Sequence, residues 1–125
     1  MMTALSVMLG GGVGALARFY INQLSYRLFG DGFPYGTLGV NCIGGFLMGV
    51  AFAYLQNHPE NHTFKPLIMV GLLGGFTTFS TFSLDILLLL QRSEFILAGV
   101  YIVASVSMSL FALWLGYSAS TFYYQ

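Results

Sequence analysis

The sequence predicts an all-α membrane protein with four transmembrane helices. Three observations carry that prediction. Apolar side chains make up 57% of the 125 residues and charged ones only 6%, whereas a soluble domain carries about a quarter. The apolar residues gather into four stretches, each of about 18 residues or more, the length a helix needs to cross a bilayer. The connections between them are short, polar and rich in turn formers, which leaves no room for a soluble domain. One transmembrane domain, residues 1–125, is the most such a length supports.

The first stretch covers residues of about 3–28, with its apolar core ending near Ile21. No basic segment opens it, and Arg18 directly follows the small-residue triplet Ala15-Leu16-Ala17. It therefore reads as a retained helix and not a cleaved signal. Gly30-Asp31-Gly32 marks a turn before the second stretch, residues of about 35–56. A polar loop with His58, Pro59, Glu60, His62 and Lys65 leads to the third, about 67–90. A short turn at 91–94 precedes the fourth, about 95–122, which ends in aromatic residues suited to the membrane interface.

Charge placement bears on orientation. With four spans both termini lie on one side, together with Lys65, while Arg27 and Arg92 lie on the other. One cation against two is a weak bias under the positive-inside rule. Such a chain can insert either way up, and two opposed copies can pair about an axis in the membrane plane. A single fixed orientation is the alternative. A chain this short cannot enclose a wide aqueous path alone, so a transport role calls for a symmetric assembly. Zero net charge gives no footing for nucleic acid, and the lone Cys42 excludes an internal disulfide.

The third stretch breaks the apolar pattern. Gly74 and Gly75 are followed by five hydroxyl side chains within the ten residues 74–83. Paired glycines weaken a helix, and this patch falls near the centre of its span, where lipid satisfies no backbone group. A helix broken at the midplane is therefore expected, with carbonyl oxygens suited to a hard cation such as Na⁺. Close packing at small residues is the plainer alternative. Phe79 and Phe82, three apart, would share a helix face. Their positive ring edges suit a small anion if they face a path, and ordinary packing or lipid contact if they do not.

Other polar residues sit where lipid makes them costly. Asn41, with Thr37 one turn earlier, must face protein or water, either as a pore residue or as a bond between helices. Arg18 either attracts anions at a water-filled entrance or extends to the headgroups. Asp85 either pairs with a basic group or marks the aqueous end of the third helix. Tyr101, Ser105 and Ser109, spaced by four, form a polar stripe on the last helix. The run Gly10-Gly11-Gly12-Val13-Gly14 follows no strand and is no dinucleotide loop; with Gly45 and Gly49 it suits close helix contact. Asn61-His62-Thr63 matches a glycosylation sequon, relevant only in a secretory pathway. Both histidines lie in one loop, away from the hydroxyl-rich midplane, so no nucleophile and base come together and no enzyme is expected.

The strings Gly14-Ala15-Leu16-Ala17-Arg18, Gly36-Thr37-Leu38-Gly39-Val40-Asn41 and Gly74-Gly75-Phe76-Thr77-Thr78-Phe79-Ser80-Thr81-Phe82 resemble the Fluc/CrcB fluoride channels. The resemblance spans nearly the whole chain. It implies an antiparallel, dual-topology homodimer in the bacterial inner membrane, with two pores exporting F⁻ passively and protecting the cell from fluoride. It implies pore roles for Phe79, Phe82, Asn41, Tyr101, Ser105 and Ser109, hydroxyl contributions from Thr37 and Thr81, and a vestibule role for Arg18. It also implies that the backbone carbonyls of Gly74 and Thr77 hold a structural Na⁺ shared by both subunits. Asp85 stands where relatives often have glutamate. The rival expectation is a small proton-coupled exporter of cationic drugs. That chemistry wants a carboxylate deep in the membrane, and the first two helices have none.

Overall fold

The computed structural model describes residues 2–123. Among them the regular structure is entirely helical: α1 Met2–Phe29, α2 Tyr35–Asn57, α3 Leu73–Phe76, α4 Ser80–Gln91 and α5 Phe95–Tyr123. A 3-10 helix, Pro59–Phe64, forms the expected polar loop. The side chains of Asn61, His62 and Thr63 lie outside the described ones. The four expected spans are present as Thr3–Phe29, Tyr35–Asn57, Pro66–Gln91 and Phe95–Tyr123. At about 1.5 Å per residue even the shortest reaches past a hydrocarbon core of about 30 Å.

The third span is composite. Pro66, which has no N–H to waste, opens seven π-helical residues, Pro66–Leu72, closed by Leu73 N–H donating to the Ile68 carbonyl. Four α-helical residues follow, and then Thr77 turns extended at φ −81°, ψ 160°. Helical geometry resumes at Ser80.

Glycine permits the two tightest crossings. A Cβ on Gly10 would lie 2.6 Å from the Leu67 carbonyl oxygen, and one on Gly75 2.6 Å from that of Gly11. One on Gly14 would collide with Leu72 O. Thus α1 lies directly against the backbone of the π-helical turns and α3, where only hydrogen fits. On the other side, a Cβ on Gly45 would sit 2.8 Å from Ser109 O, and Gly49 and Gly116 abut Leu113 O and Phe46 O. This seats α2 along α5. Gly10 and Gly14 of the first span and Gly45 and Gly49 of the second therefore serve close helix contact.

A cluster of buried side chains joins α4 to α5. Phe82 and Leu89 of α4 meet Ala98 and Tyr101 of α5, flanked by Phe33, Leu38, Ile86 and Leu97. Most other large apolar side chains point outward along all four spans, as they must when the surrounding solvent is hydrocarbon. Two connections are held by left-handed caps. Gly30, at φ +75°, donates its N–H to Tyr26 O and ends α1. At the end of α4, Ser93 takes φ +60°; it donates to Leu90 O while Glu94 donates to Leu89 O. This is the double bond pattern of a Schellman cap, with serine where glycine is usual.

Candidate functional site

The site grows from the interruption at 77–79. Thr78 presents both backbone groups to α2: its N–H donates to Asn41 Oδ1 at 3.0 Å, and its carbonyl accepts from Asn41 Nδ2 at 3.1 Å. The pairing fixes which end of the amide faces which backbone group, and leaves the second Nδ2–H free of this pairing. One step on, Thr81 N–H donates to Thr78 Oγ1 at 3.2 Å, capping the start of α4. In a continuous helix those two amides would bond the carbonyls four residues earlier, at Gly74 and Thr77. Both amides are instead turned to side chains, so both carbonyls lose their helical donors. Thr77 closes α3 with its own N–H and hydroxyl, which donate to Leu73 O at 3.0 and 2.9 Å.

This edge of the break opens on a cavity of about 600 Å³ between α2, α3, α4 and α5. Asn41, Gly74, Thr77, Phe79, Phe82, Ser105 and Ser109 all line it. Ser105 is buried, with its hydroxyl beside that of Tyr101. The two phenylalanines differ from the expectation of a shared helix face. Phe79 precedes the first turn of α4 and is 78% exposed, whereas Phe82 on α4 is 7% exposed. Their ring centroids remain 5.6 Å apart.

A second, smaller cavity of about 230 Å³ lies between α1, the first turn, α2 and α4, and Thr37, Thr81 and Asp85 line it. Tyr101 lines neither cavity and stands between residues of both. Its fully buried ring packs on Phe82, with centroids 5.1 Å apart, and edge-on to Phe33 at 5.6 Å. Its hydroxyl donates to Asp85 Oδ2 at 2.9 Å. The partner of Asp85 is thus a phenol, not the basic group considered from the sequence. The serines of the α5 stripe face the larger cavity while its tyrosine is sealed in the core. Arg18, half-buried on α1, lines neither cavity. Sequence reasoning did not single out Thr78 as a bonding partner, and no periodicity reveals a contact spanning 37 residues. It also gave no site role to Phe33 or Arg92, whose positions arise from the folding back of two loops.

Among the described residues no three His, Cys, Asp or Glu side chains gather to hold a metal. Any cation at this site would rest on backbone and hydroxyl oxygen, the donor set of a hard ion.

The sequence profile of a family described as "CrcB-like protein, Camphor Resistance (CrcB)" matches residues 5–117. The chain belongs to the CrcB family. Curated members align with it almost end to end. A "Fluoride-specific ion channel FluC" of Vibrio cholerae serotype O1 is 45% identical over 112 residues, covering 89% of each chain. The protein of that name from Photobacterium profundum is 47% identical over 112 residues, 89% of this chain and 88% of its own. That from Shewanella halifaxensis is 47% identical over 116 residues, covering 93% and 94%. In this CrcB chain the matched region takes in α2 through α4 and the serines of α5, so every residue of the two cavities lies inside it.

Proposed function

We propose that this protein is a fluoride-selective ion channel of the bacterial cell membrane, conducting F⁻ passively. The observation that carries the proposal is the cavity at the interrupted third span, where Asn41, Thr77, Ser105 and Ser109 stand among apolar side chains, in a chain whose close relatives are named fluoride-specific channels. Fluoride is small and strongly hydrated, so a path must replace its water with several weak donors. The second Nδ2–H of Asn41, the Ser105 and Ser109 hydroxyls and the positive ring edges of Phe79 and Phe82 form such a set. The first turn of α4, whose N–H groups face the break, adds partial positive charge. From there the path passes Phe82 and Tyr101 to Thr37 and Thr81, with Arg18 drawing anions at an entrance.

The third span is a broken membrane helix, its gap near the midplane, and the two copies pair antiparallel. The exposed Phe79 ring leaves an aromatic surface that such a pairing would cover. The carbonyls of Gly74 and Thr77, freed of their helical amides, fit a shared Na⁺ held by backbone oxygen. Bound there, the ion supplies positive charge that favours nearby anions and ties the broken ends together. A proton-coupled drug exporter finds no support: the deepest carboxylate, Asp85, is hydrogen-bonded to Tyr101.

The test is fluoride efflux from liposomes, followed with a fluoride electrode. Purified protein should release F⁻ down its gradient without a proton gradient and retain Cl⁻, and Phe82→Ile should stop the release. Equal F⁻ and Cl⁻ release, or full flux through Phe82→Ile, would overturn the assignment.

A further inference from the structure

The smaller cavity carries a charge arrangement that the conduction path has not used. Two carboxylates line it: Asp85 at its inner end, bonded to Tyr101, and Asp31 from the turn after α1. An anion leaving past Thr37 and Thr81 would meet both. Among the described residues the single cation on the lining is Arg92, from the turn between α4 and α5. Its Nη1 donates to the Asp31 carbonyl oxygen at 3.1 Å, which brings the guanidinium across from one turn to the other. We propose that Arg92 is the charge-compensating residue of this mouth, and that it sets how readily fluoride passes the two carboxylates. The inference rests on the cavity lying on the ion path, as proposed above.

Size gives the expected effect. A cavity of about 230 Å³ is about 6 Å across, so an ion inside it sits within about a Debye length of all three charges at 0.1 M salt. At about 8 Å in a water-like dielectric screened by about 0.05 M salt, one unit charge changes the local anion concentration about 1.5- to two-fold. Arg92→Gln should therefore slow low-salt F⁻ efflux about 1.5- to two-fold, and Arg92→Glu about three-fold. Arg92→Lys should keep more of the rate than Arg92→Gln, because it keeps the charge.

Efflux is measured from liposomes at constant fluoride, with ionic strength raised from about 0.05 M to about 1 M by potassium gluconate. The Debye length then falls to about 3 Å, and the three variants should converge on the wild-type rate. Arg92 also bonds the neighbouring turn, so a purely structural role is the rival outcome. In that case the losses would be the same at both salt concentrations and would not follow charge, and the proposal would fail. It would fail equally if Arg92→Glu ran at the wild-type rate at low salt. Phe82→Ile, run alongside, separates the two levels: undiminished flux there refutes the path itself, whereas charge-blind Arg92 variants on a working path refute only the role of Arg92.

Discussion

Replacing Asn41 by aspartate changes one atom of its amide and tests whether this side chain holds the break or only meets the ion. Asn41 donates from Nδ2 to Thr78 O at 3.1 Å and accepts from Thr78 N–H at 3.0 Å. Aspartate keeps the acceptor but sets a carboxylate oxygen against the Thr78 carbonyl. The lost bond is worth about 1 kcal/mol, and a half-buried carbonyl left without a donor costs about 1–3 kcal/mol more. A penalty of about 2–4 kcal/mol is about 30- to 1000-fold in the balance between held and released arrangements. For a chain of this size it corresponds to a drop in melting temperature of very roughly 5–15 °C. Intrinsic-fluorescence melting in detergent reads the stability, and liposome efflux reads conduction in the same preparation. Both should fall in Asn41→Asp, and acidification that protonates the new carboxyl should restore its donor and part of the lost stability. If Asn41→Asp melts within about 1 °C of the wild type while flux is lost, Asn41 is an ion contact alone and the bonds to Thr78 hold nothing.

Three further outcomes follow from the geometry. Gly14→Ala drives a methyl into backbone atoms of the third span, where nothing flexible can yield; it should cost about 1–3 kcal/mol in the same melt, whereas Gly12→Ala, with open space around it, should leave the melt unchanged or slightly raised. Ser105→Ala removes a buried hydroxyl beside Tyr101, so efflux should fall while the melt drops by no more than about 1 kcal/mol; a larger stability loss would mean the hydroxyl serves the fold and not the ion. Ser93→Gly relieves a left-handed residue in the cap after α4 and should stabilise by about 0.5–1 kcal/mol in thermal melting, with efflux unaltered.

A polar patch in the third span was legible in the sequence, because paired glycines followed by hydroxyls contradict an apolar span wherever they occur. Its use was less so. Phe79 and Phe82 lie three apart, yet one is exposed and the other buried, since the helix that would align them begins only at Ser80. Tyr101 shares a stripe with Ser105 and Ser109 on the helix surface, but the approach of α4 and the first turn places its ring in the core.

Hydropathy is a local property, so composition and the spacing of apolar runs alone determined the solvent, the number of spans, the positions of the turns and the presence of a polar fault in the third helix. Contacts between residues far apart in the chain leave no such periodic trace. That Asn41 binds the backbone of Thr78, that Asp85 is bonded by Tyr101, and that Arg92 reaches Asp31 were decided only when the helices packed. The physical reason is that backbone-level approach at Gly10, Gly14, Gly49 and Gly75 sets the rotation and depth of each helix. Those two quantities, which no single segment encodes, determine which polar groups meet.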